Sequence, residues 1–161
     1  MTQTAVHAPR AQAGKDPLLS VNDLVVEYRT KRGAVRAVDH VSFDIFPNEV
    51  LGLAGESGCG KTTIAHAVTR LLKPPAYITN GQIVFRDTDI LGMDDETLRD
   101  FRWRHLSIVF QSAMNSLNPV LSVGAQIIDA IQAHTLVSKE QARDRALELL
   151  DIVGGAAALE G

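Results

Sequence analysis

Residues 55 to 63 read Gly-Glu-Ser-Gly-Cys-Gly-Lys-Thr-Thr, the G-x-x-x-x-G-K-[ST] spacing of a loop that cradles phosphate. Each part has a chemical task. Gly55, Gly58 and Gly60 let the backbone take positive φ, so that the loop Gly55, Glu56, Ser57, Gly58, Cys59, Gly60 turns successive N–H groups into one anion-sized concavity. Lys61 brings a cation to the β- and γ-phosphates, the Thr62 hydroxyl suits Mg²⁺, and Thr63 offers a further hydroxyl to phosphate. A helix beginning at Lys61 adds its unpaired N–H groups and partial positive charge. The expected ligand is a nucleoside triphosphate.

Elements must place that loop. The apolar run at residues 50–54 has no charged side chain and predicts a core strand covered on both faces. After the loop, Ile64, Ala65, Val68, Leu71 and Leu72 recur at helical spacing, and Pro74-Pro75 predicts the helix end. Ahead of it, residues 18–28 and 41–46 alternate as strands, with Lys31-Arg32-Gly33 as a turn before residues 35–38. Short turns between them predict an antiparallel sheet. Residues 81–85 form another short strand. Asp94 caps a helix through His105 with Asp95 and Glu96 in its first turn. The arginines of that helix read as a solvated face, because acids interleave them.

Residues 106–110 predict a second core strand, followed at once by Gln111. Ser122 opens a helix with Ile127, Ile128 and Ile131 on one side. Ser138 and Gln141 have capping-box spacing for a last helix, whose stripe is Ala142, Ala146, Leu149, Leu150 and Val153, with Gly154-Gly155 as the stop.

The 161 residues suffice for one domain with a core, at 45% hydrophobic and 22% charged. A net charge of −3 argues against a nucleic-acid partner held by bulk electrostatics. The single cysteine, Cys59, rules out an internal disulfide and suits a reducing compartment; at its variable motif position it reads as a small residue. No apolar run reaches transmembrane length. Residues 1–17 read as a loose tail and not a secretory signal.

Three features beyond the loop carry a family resemblance: Tyr28 at the end of an early strand, Val38-Asp39-His40-Val41-Ser42-Phe43 leading toward the loop, and Val109-Phe110-Gln111 after it. In this order they resemble the ATP-binding subunits of ABC transporters. Leu53-Ala54-Gly55-Glu56-Ser57-Gly58 and Asn115-Ser116-Leu117-Asn118-Pro119 look more narrowly like the oligopeptide/dipeptide (peptide/nickel) import branch. The resemblance implies an α/β fold, a P-loop NTPase of the ABC type. It would have an N-terminal antiparallel β subdomain, a RecA-like core and the start of an α-helical subdomain. Residues 18–111 would hold the β subdomain and phosphate-loop core, and 112–161 the glutamine loop and the first helices.

It also implies roles. Tyr28 would stack on adenine, and Lys61 would act on the phosphates. Gln111 would touch Mg²⁺ and the attacking water, joining Thr62 as a metal contact. Residues 115–119 would face a permease. ATP and Mg²⁺ are the implied ligands. A second such ATPase subunit (identical or a paralogue), two transmembrane permeases and, indirectly, an extracytoplasmic solute-binding protein are the implied partners, at the cytoplasmic face of the cell membrane. The implied function is to couple ATP binding and hydrolysis to uptake of peptides or similar solutes. The alternatives are a non-catalytic nucleotide-binding module, a soluble ABC protein of translation or DNA repair, and a small-molecule kinase. The strands ahead of the loop and Gln111 after the second core run favour the transporter.

The sequence departs from the pattern in places. Asn48 stands where the family has a glycine, and a left-handed Asn can replace it. Ser112-Ala113 stands where the branch has Asp-Pro. There is no apolar strand ending in Asp followed by Glu, no Leu-Ser-Gly-Gly signature, and no late switch histidine. Against the family pattern this implies a partial chain, expected to be inactive in hydrolysis and marginally stable when alone.

Overall fold

The computed structural model describes residues 16–109 and 117–154. These form strands β1 (Leu19–Thr30), β2 (Gly33–Ile45), β3 (Ala76–Phe85) and β4 (Thr88–Asp89), and helices α1 (Lys61–Val68), α2 (Asp95–His105), α3 (Val123–His134) and α4 (Lys139–Ile152). The chain divides into two compact units, parting between Leu98 and Arg99 inside α2. The sequence placed its internal division later, after Gln111.

The first unit is built on an antiparallel sheet in the order β2-β1-β3-β4. β1 is its centre, pairing with β2 from Leu19↔Ile45 to Thr30↔Gly33 and with β3 from Leu19↔Phe85 to Tyr28↔Ala76. Its pairing is irregular between Val21 and Val26. There the alternation breaks, and Leu24, Val25 and Val26 are all buried. Gly81 of β3 crosses this kink so closely that a β-carbon on it would stand 2.7 Å from the Leu24 Cα. The core adds Val38, Val41 and Phe43 from β2, Ile83 and Phe85 from β3, and Ile64 and Ala67 from α1. Each of the larger of these side chains contributes about 1.5–3 kcal/mol on burial.

β2 is longer than either segment expected from the sequence. It runs through a left-handed His40 (φ 51) as one strand. After it, Pro47-Asn48 turns the chain with Asn48 at φ 62, the left-handed asparagine expected there.

The two expected core strands are corrected. Residues 50–54 form no strand, and Val50 is 95% exposed. Residues 106–109 are likewise irregular, with Val109 94% exposed; Phe110 lies outside the described residues. A strand needs a hydrogen-bonded neighbour, and no described segment pairs with either run. The parallel RecA-like layer is therefore not formed among the described residues, although the α/β class holds.

α1 also ends earlier than Pro74-Pro75 suggested. Leu71 N–H donates to the His66 carbonyl (2.8 Å) and Arg70 N–H to that of Ala67 (3.0 Å), the paired bonds of a Schellman stop. Arg70 takes the left-handed position (φ 51) in which glycine is the common choice. Its guanidinium is anchored by the carbonyls of Met93 (2.6 Å) and Ile90 (3.3 Å).

In the second unit, α3 and α4 pack through Ile131, Ala142 and Ala146, with Ile127 and Ile128 against them. Both helices carry the caps that their sequences predict. Ser122 Oγ accepts from Ala125 N–H, and Ser138 with Gln141 forms the reciprocal box. Gln126 reaches back to accept from Asn118 N–H (2.8 Å) and donate to its carbonyl (3.0 Å), fixing the entry to α3. The rings of Trp103 and His134 stack with centroids 4.4 Å apart. α4 stops before Gly154, at φ 73; Gly155 lies outside the described residues. No described helix is long and apolar enough to cross a membrane.

Candidate functional site

In the loop from Gly55 to Gly60, a side chain at Gly55 or Gly60 would meet atoms already in place, while Gly58 has open space around it and a φ of 80. Gly60, at φ 97, is the residue before α1, and a β-carbon there would lie 2.5 Å from the carbonyl oxygen of Ala37 on β2. Only glycine allows that approach, so the loop rests directly on the sheet backbone. Cys59 N–H donates to the Glu56 carbonyl (3.3 Å), and Ile64 N–H to that of Gly60 (2.9 Å), the first turn of α1. Gly60 makes no side-chain cap. The first-turn N–H groups of α1 thus have no cap residue covering them, and they meet the loop at its open end.

Lys61 extends across the loop. Its Nζ donates to the carbonyls of Gly55 and Glu56, each at 2.8 Å, and approaches Cys59 Sγ at 3.4 Å. The one ammonium therefore spans the loop from its end to its beginning. Gly55 through Gly58 are exposed, as is Thr62, while Thr63 is half-buried. The same short stretch carries the Lys61 ammonium and the hydroxyls of Ser57, Thr62 and Thr63.

Tyr28 comes to this stretch from β1. Its phenol oxygen stands 3.4 Å from Thr63 Oγ1. Its backbone is fixed on both sides, opposite Val35 of β2 and Ala76 of β3. The structure thus gathers Tyr28 and residues 55–63 into one place. Gln111, Ser112-Ala113 and Asn115-Ser116 lie outside the described residues, whereas Leu117, Asn118 and Pro119 stand exposed before α3. The support of Gly60 by Ala37 was not legible from the sequence, since the contact is made by a backbone carbonyl that any residue would carry.

Among the described residues no group of three or more His, Cys, Asp and Glu side chains is placed to hold a metal ion. Thr62 is exposed beside the loop and brings a hydroxyl there. That fits Mg²⁺ held mostly by substrate phosphates and water, the ordinary arrangement for this ion with nucleotides.

The family model described as ABC transporter matches residues 38–159. The chain belongs to the ABC transporter family. Over 138 residues it is 38% identical to the Oligopeptide transport ATP-binding protein OppD of Bacillus subtilis, covering 85% of this chain and 38% of that protein. It is 39% identical over 140 residues to the Dipeptide transport ATP-binding protein DppD of Bacillus subtilis, covering 86% and 42%. It is 44% identical over 139 residues to an OppD of Mycobacterium tuberculosis, covering 86% and 22%. The chain thus spans well under half the length of these relatives. Among solved structures, the dimeric post-hydrolysis state of the ATP-binding cassette MJ0796 bound to ADP and Pi matches with a TM-score of 0.71 at 24% identity. That match covers 84% of this chain and 57% of that one, and it establishes a shared fold.

Proposed function

We propose that this chain is the nucleotide-binding part of the ATP-binding component of an ABC importer, one that takes up peptides or similar small solutes. The observation that carries this reading is the loop itself. Gly60 set against the sheet backbone, a helix start with no side-chain cap and Lys61 across the loop lie together on one short stretch. The peptide-transport names of the relatives support the substrate class.

In this reading the N–H groups of residues 55–60 and the Lys61 ammonium bind the ATP phosphates, and Thr63 adds a hydroxyl. Lys61 exchanges its loop carbonyls for phosphate oxygens. Thr62 would hold Mg²⁺, which when bound neutralises phosphate charge and orients the terminal phosphate. Tyr28 would supply an aromatic face for adenine, and Gln111 would be a polar contact for the metal and the attacking water. A second ATPase subunit would close over the nucleotide. Two permeases would receive the conformational change through residues near 115–119, at the cytoplasmic face of the membrane.

Binding of a fluorescent ATP analogue tests the reading. Lys61→Ala should reduce affinity by at least tenfold, and Tyr28→Ala by less. Unchanged affinity in Lys61→Ala overturns the phosphate-loop assignment. Among the described residues no strand ends in an Asp-Glu pair. Metal positioning and water activation are then incomplete within them. We therefore expect no significant phosphate release from this chain by itself, whatever its affinity for ATP.

A further inference from the structure

Thr63 and Thr69 occupy the two ends of α1, and their hydroxyls are handled differently. Thr69 turns its hydroxyl back to the Ala65 carbonyl at 2.9 Å, the usual habit of a helical threonine. At Thr63 the hydroxyl is met by the phenol of Tyr28, 3.4 Å away. That separation is longer than a settled hydroxyl–hydroxyl bond, at about 2.5–3.0 Å, and a small rotation of either side chain closes it.

In a bond between two hydroxyls one proton bridges the pair, and the partner that accepts keeps its own proton for another acceptor. The phenol is the more acidic of the two and so the better donor. With Tyr28 donating, Thr63 Oγ1 accepts, and its proton is free for a phosphate oxygen. The phenol is well placed for the task. Tyr28 sits in the central strand with paired neighbours on both sides, and the loop is seated on the same sheet through Gly60 and Ala37.

We propose that Tyr28 is a positioning residue for the phosphate end of the site, its hydroxyl orienting that of Thr63, in addition to offering its ring to the base. This rests on the ATP-binding reading above. It predicts that removing one oxygen from the base-side aromatic weakens the grip on phosphate.

The experiment measures ATP and inorganic triphosphate binding in parallel, each with Mg²⁺. Tyr28→Phe keeps the ring and should weaken both ligands by the same factor, about threefold to tenfold for one lost hydrogen bond. Tyr28→Ala should add a further loss for ATP alone, because triphosphate has no base. Thr63→Val should weaken both ligands, Thr63→Ser should restore them, and Tyr28→Phe placed on Thr63→Val should cost nothing more. Unchanged binding of both ligands in Tyr28→Phe overturns the proposal. So does a lowered melting temperature with affinities intact, or additive losses in the double variant. Lys61→Ala separates the two levels of inference. If it too leaves both ligands bound, the ATP-binding reading has failed; if it alone abolishes binding, only the Tyr28 proposal has.

Discussion

The carbonyl oxygen of Ala37 lies 2.5 Å from where a β-carbon on Gly60 would stand. The loop that ends at Gly60 therefore stands directly against the backbone of the second strand of the antiparallel sheet. A methyl group at position 60 meets backbone, which cannot swing aside as a flexible side chain can, and it must also adopt φ 97.

Gly60→Ala should therefore cost both stability and binding. Left-handed strain and backbone overlap together are worth about 2–4 kcal/mol. Displacing the loop from its seat should lower ATP affinity at least as much as Lys61→Ala does. A urea melt and a nucleotide titration on the same preparation check this. Wild-type values in both would mean that the loop does not depend on the sheet.

Arg70 sets two effects against each other. Its left-handed backbone costs about 1–2 kcal/mol relative to glycine. Its guanidinium donates to two carbonyls, of Met93 and Ile90, and each bond to a charged donor is worth about 1.5–3 kcal/mol. The side-chain bonds win. Arg70→Gly should destabilise the first unit by about 1–3 kcal/mol despite relieving the backbone, read as a drop in urea midpoint. A more stable Arg70→Gly would mean that the guanidinium anchor contributes less than the left-handed backbone costs.

Asp23 gives a pH dependence whose sign can be worked out. The His40 ring hydrogen-bonds its carboxylate at 2.6 Å, which with Asn80 at 2.7 Å holds the group below the usual carboxylate range. A lowered folded value means that the stabilisation is full above the ordinary Asp value of about 3.9. It fades as the pH falls from there and is gone below the folded value. Asp23→Asn keeps a residue that tolerates the left-handed φ of 51, removes the charge and turns one of the two accepting oxygens into an NH₂ donor. The stability gap between wild type and Asp23→Asn should hold from pH 6 to 5 and close on acidification below about 4. A gap that widens on acidification would reverse the assignment. Asp39, 3.9 Å from the far nitrogen of His40, is the second carboxylate near this pair.

What the sequence made legible follows from how local each rule is. The left-handed Asn48, the caps at Asp94, Ser122 and Ser138, and the glycine loop all depend on a few adjacent residues, and each stands where its residue types required. The stop at Arg70 was missed because the residue in the left-handed position is not glycine. Its anchors lie some twenty residues on, at Ile90 and Met93. The apolar runs 50–54 and 106–109 form no strand for a different reason. Apolar composition states that a segment can be buried as a strand, but pairing decides whether it is one. The kink in β1 under Gly81 and the Tyr28–Thr63 contact join residues from separate elements, and no short-range pattern encodes them.

Gln111 bears on how nucleotide state would reach a transport partner. In the proposed reading its amide touches the metal and the attacking water, and residues 115–119 near it face the permease. That reading gives it no part in the phosphate grip proposed for residues 55–63 and Tyr28. Gln111→Ala in the assembled transporter should therefore leave ATP affinity within about twofold of wild type, while transport-coupled turnover falls by about tenfold or more, the scale on which one positioning contact in phosphoryl transfer acts. Reconstituted uptake, measured beside nucleotide binding, separates the two quantities. Wild-type coupling in Gln111→Ala would remove Gln111 from the mechanism, and a parallel loss of affinity would place it in the binding site instead.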